Sequence, residues 1–291
     1  MIDQSLVRVG VFYDGNYFLH VSNYYAYVHA KKRRISISGL HEFIRGEVSK
    51  EFSMDYRFCQ IVDAHFFRGR MSAQDASESR LYNERVFDDI LMYEGVITHY
   101  LPLKTRLGRK EEKGIDVWLA LEAFELAFYK KFDILVLIAG DGDYTPLIRK
   151  LNTLGTRVML LSWDFEYTNS NGEEKVTKTS QDLLEEVSYP IAMHEVIDSR
   201  ARKNEALVDN LFVKKTTAKQ PSSASNQFLK STIITLKNGY GFIKHSPENL
   251  FFHYSNVSKG EYNDLKLGDS VNFRIGKNNN QENVAIDVSP C

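Results

Sequence analysis

Ile134-Leu135-Val136-Leu137-Ile138-Ala139-Gly140-Asp141-Gly142-Asp143-Tyr144-Thr145-Pro146 decides the architecture of the N-terminal part of this chain. Its six consecutive apolar residues suit a strand buried on both faces, and they fall far short of the roughly 20 that a membrane-spanning helix needs. Asp143, Thr145 and Pro146 then supply the acid, hydroxyl and early proline with which helices begin. A strand that runs through a tight turn into a helix is the repeating unit of an α/β domain with a mostly parallel sheet.

The same alternation extends outward from Val7 to Asp198. Candidate strands are Val7 to Tyr13, Phe58 to Phe67, Val96 to Leu103 and Arg157 to Trp163, each rich in Val, Ile, Leu or Phe. Between Ile115 and Lys131, Val117, Leu121, Phe124 and Phe128 recur at helical spacing. The stretch Tyr17 to Lys50 is long enough for two helices.

Beyond Asp198 the periodicity fades into a polar segment ending Gln220-Pro221-Ser222-Ser223-Ala224-Ser225-Asn226, which reads as a linker. Arg200, Arg202, Lys203, Lys214, Lys215 and Lys219 against Glu205 and Asp209 make it locally basic. From Phe228 short apolar strands resume between turn signals at Asn238-Gly239, Ser246-Pro247, Lys259-Gly260 and Gly276 to Asn280, the pattern of a small antiparallel barrel of about five strands. The expected organisation is thus 1–198, an α/β domain; 199–227, a basic linker; and 228–291, an all-β barrel.

A length of 291 residues accommodates two such domains. The 37 basic and 38 acidic residues leave a net charge of −1, so no whole-protein field points to a nucleic acid and any such partner must be sought locally. Met-Ile-Asp-Gln-Ser is not the start of a signal segment, and Cys59 and Cys291 make no disulfide framework, so the expectation is a reduced, cytoplasmic protein without a membrane partner. The eight histidines and two cysteines show no close ligand pairing of the kind zinc requires, and no Gly-rich phosphate loop appears.

Acids fall where α/β sheets bind ligands, outside the carboxyl ends of the strands. Asp14 closes Val11-Phe12-Tyr13-Asp14-Gly15-Asn16, Asp141 and Asp143 close the central run, and Asp116 opens a helix in Lys113-Gly114-Ile115-Asp116. Two bare carboxylates about 4 Å apart repel by roughly 4 kcal/mol at an effective dielectric near 20, so a cluster of them protonates or takes a cation. Oxygen ligands suit Mg²⁺ or Mn²⁺, which neutralise a phosphoryl oxygen and acidify water. Each Asp alone is equally a good helix cap or turn former, and capping is the leading reading for Asn16 and Thr145. Lys104, Arg106, Arg109, Lys110 and Lys113 in the loop before Asp116, with Arg68 and Arg70, offer a bracket for a phosphate backbone.

Phe12-Tyr13-Asp14-Gly15-Asn16, Lys113-Gly114-Ile115-Asp116-Val117 and Gly140-Asp141-Gly142-Asp143-Tyr144-Thr145-Pro146-Leu147-Ile148 resemble the three motifs of the NYN family of PIN-like nucleases (LabA type), over most of residues 5 to 198. The resemblance implies a Rossmann-like PIN fold, with Asp14, Asp116, Asp141 and Asp143 as metal-binding catalytic acids, Asn16 as an accessory polar group, and hydrolysis of RNA with Mg²⁺ or Mn²⁺. Tyr24 to Glu51 and Asp164 to Thr179 look like expansions on a minimal version of that domain. Asp141-Gly142-Asp143 also resembles the nucleophile loop of haloacid-dehalogenase-type phosphatases, a reading that leaves Asp14 and Asp116 without a role.

In the C-terminal part, Gly239-Tyr240-Gly241-Phe242-Ile243 and Leu250-Phe251-Phe252-His253-Tyr254-Ser255 place alternate side chains on one face: Tyr240 and Phe242 on one strand, Phe251 and His253 on the next. Exposed aromatics of this kind stack on unpaired bases, and Gly239 and Gly241 leave room for close backbone approach. The two strands resemble the ribonucleoprotein motifs of the cold-shock domain, an OB-type barrel, over about Leu229 to Pro290. That implies binding of single-stranded RNA, or else DNA, through Tyr240, Phe242, Phe251 and His253, and Tyr254 at the edge. Thr235-Leu236-Lys237 stands where that family usually carries a Trp-Phe pair, so one stacking position is absent. The combined expectation is a metal-dependent ribonuclease with a single-strand-binding domain, the alternative being a non-catalytic RNA-binding regulator.

Overall fold

Runs of Val, Ile, Leu and Phe become strands because such residues are buried only when both faces of the sheet are covered. The structure, a computed structural model, describes residues 6–106, 109–168, 172–202, 205–214, 228–237, 239–258, 262–277 and 283–290. β1 (Val7–Asp14) leads into α1 (Gly15–Asn23), a π-helical turn (Tyr24–Val28) and α2 (Ile37–Glu51). Next come β2 (Cys59–Arg70), α3 (Glu78–Tyr93), β3 (Ile97–Pro102) and a hairpin of β4 (Lys104–Arg106) and β5 (Arg109–Glu111). α4 (Ile115–Lys130), β6 (Ile134–Ile138), α5 (Thr145–Thr153) and β7 (Arg157–Ser162) complete the centre. A second hairpin of β8 (Phe165–Thr168) and β9 (Glu174–Thr177) precedes α6 (Gln181–Glu186), β10 (Tyr189–Ala192) and α7 (Met193–Asp198).

Six of these strands form one sheet in the order β10-β7-β6-β1-β2-β3, every neighbouring pair parallel. β1 lies inside it, with Tyr13 beside Ile138 of β6 and Phe66 of β2. Val9, Val11 and Tyr13 face a core shared with Phe18, Leu40, Phe43 and Leu91, whereas Phe12 faces one shared with Leu119, Ala123, Ile148 and Leu151. The α/β expectation holds, and with it two helices between Tyr17 and Lys50. Among the described residues no helix is long and apolar enough to cross a membrane.

The two segments read as expansions pack on each other: Phe165 stacks on Tyr24 with centroids 4.0 Å apart, and Tyr167 lies 5.8 Å from the same ring. The stripe on α4 takes an unforeseen direction. Ile115, Leu119, Ala123 and Ala127 form its buried side, while Val117, Leu121 and Phe128 are exposed. α8 (Ala206–Asn210) lies within the segment read as linker, and Val208, Leu211 and Phe212 are buried in the first core. The backbone at Phe212 bridges Ile35, and Arg202 pairs with Glu47 and Glu205, so the first compact unit runs to Lys214.

The second unit is a closed barrel, β11-β12-β13-β15-β14, of β11 (Leu229–Lys237), β12 (Tyr240–Ile243), β13 (Leu250–His253), β14 (Ser270–Lys277) and β15 (Asn283–Pro290). Five strands are present as expected. The β13–β15 pair is parallel, where the turn signals alone suggested antiparallel pairing throughout. Ile233, Ile243, Leu250, Phe252, Val271, Phe273 and Val288 fill the interior.

Candidate active site and nucleic-acid face

Asp14 ends β1 and caps α1, its Oδ1 accepting the Tyr17 N–H at 3.0 Å. Gly114 takes the left-handed conformation (φ 86°) that turns the chain into α4, and Asp116 stands in that helix's first turn. Tyr144, buried in the 3-10 turn after β6, joins the two: its hydroxyl lies 2.9 Å from Asp116 Oδ1 and 3.4 Å from Asp14 Oδ2. A phenol has one proton, which the shorter contact takes. Burial, followed by the nearby charges of Asp116 and Glu112, raises the Asp14 carboxyl to about 6, against the lowering effect of its hydrogen bonds. Burial and the two carboxylates push the Tyr144 phenol far up, so it stays a neutral donor.

Glu112 is a third acid that the sequence reading passed over. Its carboxylate accepts the Gly69 N–H, and a Cβ on Gly69 would stand 2.6 Å from Oε1, so the missing side chain is what admits the acid. Burial raises the Glu112 carboxyl, as does Asp116, against the Gly69 hydrogen bond and the Arg68 charge. The sequence signal was available: an acid four residues before Asp116, hidden in a loop read for its basic residues.

Asp141 and Asp143 follow β6, the strand beside β1, and both are exposed. Asp141 caps the 3-10 turn by accepting the Asp143 N–H at 3.0 Å. No hydrogen bond joins either to Asp14 or Asp116 among the described residues. Asn16 is exposed in the first turn of α1; the cap expected of it is supplied by Asp14. Thr145 is no cap either: it lies inside α5, and its buried hydroxyl has no hydrogen-bond partner among the described residues. Lys113 is exposed beside Glu112 in sequence.

Arg68 and Arg70, expected to bracket a phosphate, are committed elsewhere. They share one face of β2 and meet α3, where Glu84 and Asp88 are one turn apart: Arg68–Glu84 at 3.6 Å, Arg70–Glu84 at 3.3 Å and Arg70–Asp88 at 2.9 Å. The side chains of Lys104, Arg106, Arg109 and Lys110 lie outside the described residues. Both tryptophans lie in this unit: the Trp163 backbone N–H donates to Tyr17 Oη at 2.7 Å, and Trp118 packs edge-on to Phe67 and His99.

The donor chemistry of this crevice fits a hard cation: carboxylate oxygens, a phenol, and neither thiolate nor imidazole. Among the described residues no three acids are arranged around one cation position. Mg²⁺ is ordinarily held by one or two carboxylates and keeps several waters, so Asp14 and Asp116 fall within its usual donor set.

On the barrel, Tyr240 pairs across the strands with His253, and Phe242 with Phe251. Phe251 sits 5.7 Å from both Tyr240 and Phe242, centroid to centroid. Tyr240 and Phe251 are 38% and 36% exposed, and Phe242 and His253 are partly exposed, whereas Phe252 is fully buried. Tyr254, expected at the edge of this face, is exposed just past it, because β13 ends at His253 and a 3-10 turn begins. Gly241 serves the interior: a Cβ there would meet the Phe252 ring at 2.6 Å and the Thr235 carbonyl at 2.8 Å, so packing alone accounts for the glycine. Gly239, at φ 82°, makes the turn. A groove of about 740 Å³ continues this face past Phe242 and Phe251 to His245, Asn249, Lys277 and Asn283, residues the sequence reading did not single out.

Comparison with known proteins agrees with both halves. No curated protein matches the chain. A Vibrio parahaemolyticus protein of unknown function, solved by crystallography, is similar at 18% identity and a TM-score of 0.43, over 66% of this chain and 95% of its own. The family model of the NYN domain matches residues 8–194, and that of the 'Cold-shock' DNA-binding domain matches residues 229–291. The chain therefore belongs to the NYN family, within the PIN-like nucleases, and carries a C-terminal cold-shock domain that marks it as a binder of single-stranded nucleic acid.

Proposed function

We propose that the protein is a metal-dependent ribonuclease in which Asp14, Asp116, Asp141 and Asp143 hold Mg²⁺ or Mn²⁺. The observation that carries this reading is the convergence of Asp14 and Asp116, from distant parts of the chain, on the Tyr144 hydroxyl at the carboxyl end of the central strands. Bound there, the cation would neutralise phosphoryl oxygens and acidify the attacking water. Tyr144 fixes the spacing of the two carboxylates, Glu112 adds negative charge behind them, Asn16 is an accessory polar contact and Lys113 meets the backbone phosphates. Tyr240, Phe242, Phe251, His253 and Tyr254 stack on or hydrogen-bond to unpaired bases, keeping the substrate at high effective concentration near the acids.

One observation favours a second reading, a non-catalytic RNA-binding regulator: no three acids share a cation position among the described residues. A single experiment separates the two. Purified protein and its Asp116→Asn and Asp141→Asn variants are incubated with labelled single-stranded RNA and DNA of matched sequence, in Mg²⁺, Mn²⁺ or EDTA. RNA cleavage that needs the ion and vanishes in both variants is the expected result. Binding without cleavage by the unaltered protein, across varied RNAs, would replace the nuclease with the regulator, and cleavage confined to DNA would change the substrate.

A further inference from the structure

A helix lying on one face of a sheet normally shows a polar outer side. α4 does not. Its inner residues Ile115, Leu119, Ala123 and Ala127 are buried, yet its outer side carries Val117, 63% exposed, Leu121, 65%, and Phe128, 46%, with half-buried Phe124 between them and Tyr129 beside them. The outer residues are spaced four, three and four apart, which is a coiled-coil seam two heptads long. That spacing is the same read in either direction, as an interface between two identical helices related by a two-fold axis requires.

We propose that the outer face of α4 is a self-association surface, on which a second copy of this chain seats the same helix antiparallel. Val117 of one copy then packs on Phe128 of the other, and Leu121 on Phe124. Charge selects this direction over the parallel one. The first turn of α4 carries Asp116, its last turn carries Lys130 and Lys131 follows, with the Lys131 ammonium over the Phe128 ring, so antiparallel pairing sets acidic ends beside basic ends. The exposed apolar side chains amount to on the order of 450 Å² per copy, or about 900 Å² for the pair, below the roughly 1,200 Å² of stable complexes and in the range of weak, reversible association. α3 also exposes Tyr82, Val86, Ile90 and Tyr93, but the Arg85–Asp89 ion pair belongs to the same exposed side and breaks its continuity. Because Asp116 opens α4, the pairing would hold two acid clusters about 20 Å apart along the paired helices.

Sedimentation equilibrium of the nucleic-acid-free full chain, from about 1 to 200 µM, tests the proposal. A concentration-dependent dimer is expected, weakened at least 20-fold by Leu121→Lys with no change in melting temperature, and unaltered by Val86→Lys on α3. A monomer at every concentration overturns the proposal, as does a dimer that survives Leu121→Lys. A crosslinking test fixes the direction in a Cys291→Ser background. Val117→Cys with Phe128→Cys should oxidise to a covalent dimer. Val117→Cys alone should not, because the two sites stand about 16 Å apart in the antiparallel pair, beyond disulfide reach. Equal crosslinking by the single variant overturns the antiparallel arrangement.

Discussion

The acid crevice and the aromatic face are both candidate functional surfaces, but they are built on opposite physical terms. In the crevice the acids also hold local structure together, since Asp14 caps α1 and Asp141 caps a 3-10 turn. On the barrel the exposed rings do no work for the interior, which Phe252, Phe273 and Ile233 fill without them. A structural explanation thus competes with the functional one at the capping acids of the crevice, while at Phe251 it has little to offer.

The sharpest way to break that comparison is Asp116→Asn. It should lower cleavage by about 10³-fold, since several kcal/mol of charge stabilisation is lost, and leave the dissociation constant for a short single strand within about twofold; cleavage assays and fluorescence anisotropy read the two. Next in size is Phe252→Ala, which should destabilise the barrel by about 3–5 kcal/mol in denaturant melts because it empties a packed core. Its neighbour Phe251→Ala should leave the melt almost unchanged and weaken single-strand binding by about 1–3 kcal/mol, seen as a rise in Kd of roughly five- to 150-fold. Equal effects of these two variants would erase the distinction between inner and outer rings.

Two smaller effects probe the crevice alone. Folding raises the Asp14 carboxyl to about 6, so between roughly pH 4 and 6 the folded state binds more protons than the unfolded one. In chelator, stability should therefore rise as pH falls through 6, by on the order of 3 kcal/mol, and Asp14→Asn should flatten that slope in thermal melts. Tyr144→Phe should cost cleavage about fivefold, the worth of one hydrogen bond, with the melt preserved.

Much of the fold was legible because its signals are periodic and dense. Ile134 to Ala139 and Arg157 to Trp163 match β6 and β7 to within one residue. β10 was not read: it has four residues, includes Pro190 and occupies an edge, where the apolar signal is short. α8 was hidden for a similar reason, since three buried residues among charged neighbours look like linker until Phe212 is seen against Ile35. On α4 the periodicity was right and its direction was open, because the helix is apolar on both sides. The sequence named Asp14 and Asp116; Glu112 was visible in it only as an acid four residues before Asp116, and Tyr144 joins the two carboxylates through a three-dimensional contact that no spacing encodes, a phenol reaching across from the 3-10 turn after β6.

The chain has two tryptophans, and both lie in the first unit: Trp163 held against Tyr17, on which the Asp14 charge acts, and Trp118 two residues past Asp116. The barrel, built on Tyr and Phe, has none. Indole fluorescence is therefore a private signal of the NYN domain. Ion loading at the acids would be read in its emission, whereas bases stacking on Tyr240 and Phe251 would pass without quenching a barrel indole, so one optical experiment separates the two halves without cutting the chain.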